Sequence, residues 1–302
     1  MSSITDIYSP RTTFRCTRLR GAKVGSSVCQ FCAVGCSQLG FFKDGKLIDV
    51  EGDPRSAVNE GRLCPKGSST YALNENPYRK VKPMYRAPGS DHWEEVTLDW
   101  MLDTVAKRIW DTRNKGFVEK DPATGITVNN CANIGFIGGS ANDNEECYLF
   151  RKLFTGGLGI LPVENSARYC HSTTVAALSP TFGFGACTNP PRDLLNSDCI
   201  LIMGSNMAEA HPCAFYWPMQ AKKKGAVTIH VDPRYTRTSA ACDHHVHIRP
   251  ETDIAFLSAV IRYILEKGLW FKEYVLAYTN ASTIINPKFK EPLHKRWVIC
   301  YN

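Results

Sequence analysis

The chain has 302 residues, of which 43% are hydrophobic and 22% are charged, and its formal net charge at pH 7 is +7. These values predict a soluble globular protein of about two domains and exclude an intrinsically disordered chain, and no apolar run reaches the length of a membrane-spanning helix. The basic residues are largely scattered, so the charge does not predict a nucleic-acid interface.

The first 25 residues predict an N-terminal arm, because they are basic and polar and show no hydrophobic period. They contain neither an apolar signal segment nor a twin-arginine pair, so we expect a cytoplasmic protein with no direct membrane span. In a chain without an export signal, thirteen cysteines indicate reduced thiols and metal ligands rather than disulfides.

The first informative motif consists of four cysteines. Cys29, Cys32 and Cys36 lie in one short stretch, and Cys64 follows in a later loop, directly before Pro65. Four thiolates suit an iron–sulfur cluster or a zinc ion. Structural zinc sites more often combine two pairs of cysteines, so this spacing favours a [4Fe-4S] cluster, with zinc as the alternative.

Between these cysteines the sequence GFFKDGKLIDVEGD predicts a β-hairpin that would hold the two cysteine loops together. Residues 76–96 are rich in proline, glycine and charge, which indicates a linker. We therefore expect a small [4Fe-4S] domain at residues 26–86.

The rest of the chain predicts an α/β fold with a parallel sheet. Thr97 can cap a helix, and ANIGFIGGSANDNEECYLFRKLFTGGLG indicates a buried strand, a turn and a helix. Further strands are predicted at Cys199–Met203, in AVTIHVDPRYTRT and in HVHIRP, with a helix at 214–224 between the first two. A last helix, from Thr252 to about Lys267, is apolar on most of its circumference and is expected to be well buried. We divide this region at 87–165 and 166–302.

Ligands of parallel sheets bind beyond the carboxyl ends of the strands, where the loops at Gly204, Asp232 and Arg249 are expected. Asp232 could accept hydrogen bonds from a purine or ribose, and Arg234, Arg237 and Arg249 could bind phosphates. An ordinary Asp-Pro turn with solvated arginines fits the spacing equally well. Neither a G-x-G-x-x-G motif nor a Walker loop is present.

A second centre of interest is Cys170, which follows a polar stretch and precedes His171. This setting favours an accessible thiolate that binds a metal. A nucleophilic Cys-His pair and a plain buried cysteine are the alternatives, and adjacent residues rarely present both side chains to one point.

Six segments in this order resemble the large subunit of formate dehydrogenases, which are molybdopterin oxidoreductases: VCQFCAVGC, EGDPRSAVNEGRLCPKG, ENSARYCHSTTVAALSPTFGFGA, MGSNMAEAHP, VDPRYTRTSA and RPETDIAF. The resemblance implies that Cys29, Cys32, Cys36 and Cys64 hold a [4Fe-4S] cluster. It also implies that Lys66 lies on the electron path to a pterin.

By the same resemblance, Cys170 matches the cysteine or selenocysteine that binds molybdenum or tungsten, and His171 matches the residue that assists removal of the formate hydrogen. Periplasmic nitrate reductases resemble C-M here, so His171 favours formate. The resemblance implies two molybdopterin guanine dinucleotides, one of them held by the following residues: Gly204, Asn206, Glu209, His211, Asp232, Arg234, Thr236 and Asp253.

Large subunits of this family continue far beyond the length of this chain, so the fold is expected to be incomplete relative to the family. The implied function is the N-terminal part of a formate dehydrogenase catalytic subunit, with formate and CO2 as the substrate pair. The implied partners are a second polypeptide that completes the subunit and an iron–sulfur subunit that takes the electrons onward. The alternatives are a related nitrate reductase, a cluster-bearing module without pterin, and a zinc scaffold.

Overall fold

The computed structural model describes residues 18–282, so most of the predicted arm lies outside the described residues. The chain divides into two compact units, Met1–Val246 and His247–Asn302. Within the described part, the strands form two three-stranded and three two-stranded sheets. None of the helices there is both long and apolar enough to cross a membrane. The cytoplasmic location stays a prediction.

The first sheet is antiparallel and contains strands β1 (Lys23–Val28), β2 (Ser37–Lys43) and β3 (Lys46–Gly52). It begins within the residues predicted as an arm. The hairpin between β2 and β3 turns at Asp44 and Gly45, whose φ angles of 51° and 78° suit a tight two-residue turn. The predicted hairpin is therefore confirmed.

Alternate residues of β2 build the core of this sheet. Leu39 and Phe41 are fully buried, because residues two apart in a strand point to the same face. They pack with Leu19 and Val24. Two short helices follow, α1 (Pro65–Ser68) and α2 (Thr70–Asn74). The predicted linker also contains a small strand pair, β4 (Met84–Tyr85) and β5 (Glu94–Glu95).

Helix α3 (Leu98–Gly116) begins where Thr97 was predicted to cap it, and Thr97 Oγ1 accepts a hydrogen bond from the Trp100 N–H at 3.3 Å. The next elements are the antiparallel pair β6 (Phe117–Lys120) and β7 (Thr127–Cys131), strand β8 (Phe136–Gly138), helix α4 (Asn144–Arg151) and a π-helical turn (Lys152–Gly157). They are followed by strand β9 (Val163–Asn165), helices α5 (Ser166–Cys170) and α6 (Ser172–Phe182), and a 3-10 helix (Pro191–Asn196).

The predicted strand, turn and helix correspond to β8 and α4, and β8 pairs in parallel with β9. The prediction that this strand is buried is wrong, since Ile137 is 66% exposed. Its sheet consists of two strands within the described residues, and a strand needs covering layers on both faces to become buried.

The second three-stranded sheet is parallel and contains β10 (Cys199–Met203), β11 (Val227–Val231) and β12 (His244–Val246). The intervening helices are α7 (Met207–Ala210), α8 (Pro212–Lys223) and α9 (Arg237–Ala241). Ile200 and Ile202 pack against Phe215 of α8 and form the core. The predicted strands and helix of this α/β unit are confirmed.

The second compact unit contains α10 (Asp253–Glu266), α11 (Lys272–Tyr278) and a 3-10 turn at Asn280–Ser282. We predicted a well-buried helix here, and that prediction is wrong. No residue of α10 is buried, and Ile254 is 80% exposed. An apolar circumference makes burial favourable, but burial also requires a packing neighbour, which periodicity does not reveal.

Candidate functional site

The three clustered cysteines lie in the loop between β1 and β2. Cys29 directly follows β1, Cys36 directly precedes β2, and the Cys29 N–H donates to the Cys36 carbonyl at 2.8 Å. Inside this closed loop, the Gly35 N–H donates to the Cys32 carbonyl at 3.3 Å. The strands thus set the ends of the loop, and the turn between them presents the thiols.

Cys64 joins these three thiols from the loop before α1. Cys29 and Cys36 are buried, and Cys32 and Cys64 are partly buried against the same apolar cluster. The structure therefore brings together all four predicted cysteines from two separate loops. A fifth cysteine, Cys213 of α8, is buried in the same cluster and was not predicted there.

Two buried amides hold the cysteine loops in place. Asn59, only 1% exposed, accepts from the Ser37 N–H at 3.0 Å and donates to the carbonyls of Ser37 (3.0 Å) and Arg62 (2.8 Å). Gln38 donates to the Gly67 carbonyl at 2.8 Å and to Thr70 Oγ1 at 3.1 Å. Sequence reasoning missed both. The available signal was a polar amide close to a predicted cysteine ligand, as Gln38 is to Cys36.

A close backbone contact also positions the Cys64 loop. A Cβ atom added to Gly52 at the end of β3 would lie 2.4 Å from the Gly61 carbonyl oxygen. Gly61 has a φ of 81° and donates its N–H to the Asp53 carbonyl at 2.9 Å. Glycine at both positions allows the loop to lie directly against the sheet.

The chemistry of these donors fits a [4Fe-4S] cluster. Burial raises the pKa of the Cys36 thiol to about 12, with the neighbouring Cys213 as the next cause, so a metal has to displace a proton to bind there. Between residues 18 and 282, no three His, Cys, Asp or Glu side chains are grouped as a single-ion site. A [4Fe-4S] cluster takes four cysteine thiolates, which is the number that the two loops bring together here.

The cysteine loops pack against α7 and α8 of the parallel sheet. Trp217 Nε1 donates to the Val58 carbonyl at 3.1 Å, and the Arg62 guanidinium lies 3.7 Å from the centroid of the Tyr216 ring. Lys66 Nζ donates to the carbonyls of Glu209 (3.2 Å) and Ala210 (3.4 Å). Lys66 therefore connects the Cys64 loop directly to the segment after β10.

The loops after β10 and β11 are joined by polar contacts. The Gly204 N–H donates to the Val231 carbonyl at 2.9 Å, and Gly204 has a φ of 62°. Asn206 donates to the Glu209 carboxylate and accepts from Thr238 Oγ1 at 3.0 Å. The Asp232 carboxylate caps its own turn by accepting from the Arg234 N–H at 2.7 Å.

An open depression lies beside these two loops. Arg237 Nε is 3.0 Å from the Glu209 carboxylate across it. Two guanidinium groups facing one depression can bind phosphates, and carboxylates at strand ends can bind a purine or ribose. Of its lining residues, Tyr235 and Ala240 were not predicted; the full lining is Glu209, Arg234, Tyr235, Thr236, Arg237 and Ala240.

Two other predicted binding residues are His211 and Asp253. His211 directly precedes α8, and the pKa of its imidazole is lowered first by burial and second by the charge of Lys66. Asp253 is the first residue of α10 in the second compact unit. The role of Asp253 in cofactor binding stays a prediction.

A buried histidine that sequence reasoning missed supports the two loops. His230 in β11 is fully buried, with Nε2 3.1 Å from the Ser205 carbonyl and Nδ1 2.7 Å from Ser239 Oγ. A carbonyl oxygen only accepts, so Nε2 carries the proton and the Ser239 hydroxyl donates to Nδ1. Ser239 Oγ also accepts from the Thr236 N–H at 2.8 Å. The signal was a histidine inside the otherwise apolar strand VTIHV.

Cys170 and His171 lie apart from these loops in sequence, at the junction of α5 and α6. Cys170 is the last residue of α5 and His171 directly precedes α6. Both side chains are exposed, so the plain buried cysteine is excluded. The accessible thiol that the sequence predicts is present, although it lies on a short helix.

Two family models and several known proteins match this chain. Residues 22–76 match the molybdopterin oxidoreductase Fe4S4 domain, and residues 79–270 match the molybdopterin oxidoreductase domain. The formate dehydrogenase subunit alpha of Megalodesulfovibrio gigas is 53% identical over 270 residues, which are 89% of this chain and 26% of that protein. The formate dehydrogenase-O major subunit of Escherichia coli is 42% identical over 271 residues, covering 87% and 26% respectively.

Among solved structures, acetylene hydratase from Pelobacter acetylenicus superposes with a TM-score of 0.66 over 83% of this chain and 33% of that one. At 22% identity, this likeness concerns the fold alone. The chain spans about a quarter of the length of the formate dehydrogenase subunits given above, 26% in both cases.

Proposed function

This chain belongs to the molybdopterin oxidoreductase family, and we propose that it forms part of the catalytic subunit of a formate dehydrogenase. The cofactors of the family are a [4Fe-4S] cluster and a molybdopterin that carries molybdenum or tungsten. The observation that carries the proposal is the contact between Lys66 and the carbonyls of Glu209 and Ala210, which joins the cysteine loops to the loops of the parallel sheet.

In this proposal Cys29, Cys32, Cys36 and Cys64 hold the cluster. The buried amides of Asn59 and Gln38 support this role, because residues around a cluster have to orient the ligands and exclude water. Lys66 lies two residues after Cys64 and contacts the other loop, so it is the residue through which the two sites communicate.

The depression beside β10 and β11 receives one guanine dinucleotide. Arg234 and Arg237 bind its phosphates, and Asp232 accepts hydrogen bonds from the guanine or ribose. Gly204 leaves the loop backbone open to the ligand, since a Cβ added there meets nothing within 4 Å. The buried His230 and Ser239 hold the two loops at a fixed spacing.

Formate becomes CO2 when it loses one proton and two electrons. When bound, molybdenum or tungsten supplies the two-electron acceptor. Cys170 offers an exposed thiolate ligand for that metal, and the adjacent His171 imidazole accepts the proton. Lys66, which contacts the loop after β10, would lie between that metal and the [4Fe-4S] cluster held by the four cysteines. His171 supports formate over nitrate as the substrate.

We further propose that an iron–sulfur subunit takes the electrons from the cluster. Exposed apolar side chains beside the cysteine loop support such a docking surface, since Val28 is 56% and Phe31 39% exposed. The second polypeptide expected from the sequence stays a prediction.

The test is the Cys170→Ala variant of the assembled enzyme, with Cys187→Ala as the matched control. Both cysteines are exposed, but Cys187 belongs to no proposed ligand set and its thiol lies 3.0 Å from the Asn189 carbonyl. We expect Cys170→Ala to abolish formate oxidation while iron content and the spectrum of the reduced cluster stay normal. Substantial formate turnover by Cys170→Ala would refute the assignment, as would an equal loss in Cys187→Ala.

A further inference from the structure

Cys213 is a fifth cysteine at the cluster site, and none of the roles above uses it. It is 7% exposed and lies at the start of α8, packed with Cys29 and Cys36, with Cys32 and Cys64 at the edge of the same cluster. Its Sγ lies 3.7 Å from the Arg62 carbonyl oxygen, a long contact for a weak thiol donor. The thiol proton is therefore available to a better acceptor nearby.

We propose that the Cys213 thiol donates a hydrogen bond to the sulfur of Cys36 and so raises the reduction potential of the [4Fe-4S] cluster. The proposal rests on the cluster assignment and does not depend on formate as the substrate. It makes Cys213 a positioning residue that acts on the cluster through one of its ligands.

The physical argument starts from the charge of the acceptor. A cysteine that binds iron is a thiolate, and hydrogen bonds to charged acceptors are about twice as strong as those between neutral groups. The Cys36 sulfur therefore competes with the Arg62 carbonyl for the single thiol proton. Apolar neighbours, Val34, Val58 and Leu63, surround this position and keep the local dielectric low, which strengthens the bond.

The effect on the cluster follows from its charge. Reduction adds negative charge to the cluster and its sulfur ligands, and a donor aimed at a ligand sulfur stabilises the reduced state more than the oxidised one. A [4Fe-4S] cluster is complete with four thiolates, and the sequence motif already supplies four. The fifth cysteine thus keeps its proton and acts as a donor.

The experiment compares Cys213→Val and Cys213→Ser in the assembled enzyme, with Cys242→Val as the matched control. Cys242 is also buried, at 9% exposure, but it packs in the core of the parallel sheet. The midpoint potential is measured by redox titration of the electron paramagnetic resonance signal of the reduced cluster. This measurement tests the hydrogen bond from Cys213 independently of the proposed substrate, because it requires no formate turnover.

We expect Cys213→Val to lower the potential, so that the ratio of oxidised to reduced cluster at a fixed potential rises about three- to tenfold, as one weak hydrogen bond allows. Cys213→Ser keeps a donor and should stay within about twofold of the wild type, and Cys242→Val should not change the ratio. An unchanged ratio in Cys213→Val, or equal shifts in the valine and serine variants, would overturn the donor role. Loss of iron from Cys213→Val would also overturn it, since Cys213 would then be a ligand.

Discussion

The four-cysteine site and the Cys170 site differ in how much of their structure comes from neighbouring residues. Cys29 and Cys36 are 7% and 5% exposed, and buried amides tie their loops to the rest of the site. Cys170 and His171 are exposed, and the helix that follows them, α6, has no buried residue. The difference fits the roles proposed for the two sites, since a cluster needs a dry, rigid shell from the chain, whereas a ligand for a cofactor-borne metal has to stay open to it.

The largest expected effect comes from removing one of the proposed cluster ligands. Cys64→Ala should lose the cluster iron and lower the unfolding free energy of the surrounding region by several kcal/mol, because metal-binding free energy is also folding free energy in small metal domains. Iron analysis and thermal unfolding of the assembled protein measure this. Cys170→Ala should keep its iron and its unfolding midpoint. Equal destabilisation by both variants would remove the contrast between the two sites.

The next effect tests the backbone contact under the Cys64 loop. Gly52→Ala should destabilise the protein by about 3 kcal/mol, because the new Cβ would overlap the Gly61 carbonyl oxygen, which is backbone and cannot rotate away. Gly25→Ala in β1 is the control, since its Cβ would meet the Phe42 ring at an ordinary 3.5 Å. Chemical denaturation measures both. If the two variants lowered the unfolding free energy equally, the fold would not require the close contact between Gly52 and the Gly61 carbonyl.

A somewhat smaller effect is expected from removing the buried side-chain amide of Asn59. Asn59→Ala removes the amide acceptor of the Ser37 N–H. It leaves the Ser37 carbonyl with only the Asp53 N–H and the Arg62 carbonyl with only the distant Cys213 thiol, and should cost about 2 to 3 kcal/mol. Cluster loss on exposure to a chelator should become faster, because the loop carrying Cys64 loosens. Asn74→Ala is the control, as Asn74 is exposed and donates to the adjacent Glu75. Similar rates of cluster loss in the two variants would contradict the role of Asn59 in holding the Cys64 loop.

The smallest effect is a pH dependence of the same region. Hydrogen bonds from Arg55 lower the pKa of the Asp53 carboxyl, with the guanidinium at 2.9 and 3.0 Å from its oxygens. A carboxyl whose pKa is lower in the folded state stabilises the fold above its unfolded pKa of about 4, and this stability is lost as the pH falls through the folded value. The side chain of Arg55 is half exposed, so the loss should be modest.

Unfolding measured between about pH 6 and pH 2 checks this, with Asp53→Asn as the variant that removes the titrating group. We expect the slope of unfolding free energy against pH to be shallower in Asp53→Asn than in the wild type. Parallel curves would show that Asp53 contributes nothing to the acid sensitivity of the cysteine site.

Much of the local structure was predictable from the sequence because it depends on nearby residues. The Asp44-Gly45 turn, the Thr97 cap and the apolar strand Cys199–Met203 each follow from backbone conformation or periodicity. The burial of β8 and α10 was predicted wrongly, since a segment's own apolar pattern does not show which neighbours cover it. The domain boundaries and the role of Asp253 stay predictions.

By itself, the sequence determined which residue types are available for the chemistry: four cysteines with cluster spacing, a Cys-His pair, and an acidic and basic loop after each of two strands. Spacing along the chain sets these features because they depend on residue type and local geometry. Only the tertiary structure decided that Cys213 packs against the other thiols, that Lys66 contacts Glu209, and that Asn59 joins the two cysteine loops. These contacts join residues that are distant in sequence, so no local pattern predicts them. At Asn59, burial also requires specific hydrogen-bond partners in place of water.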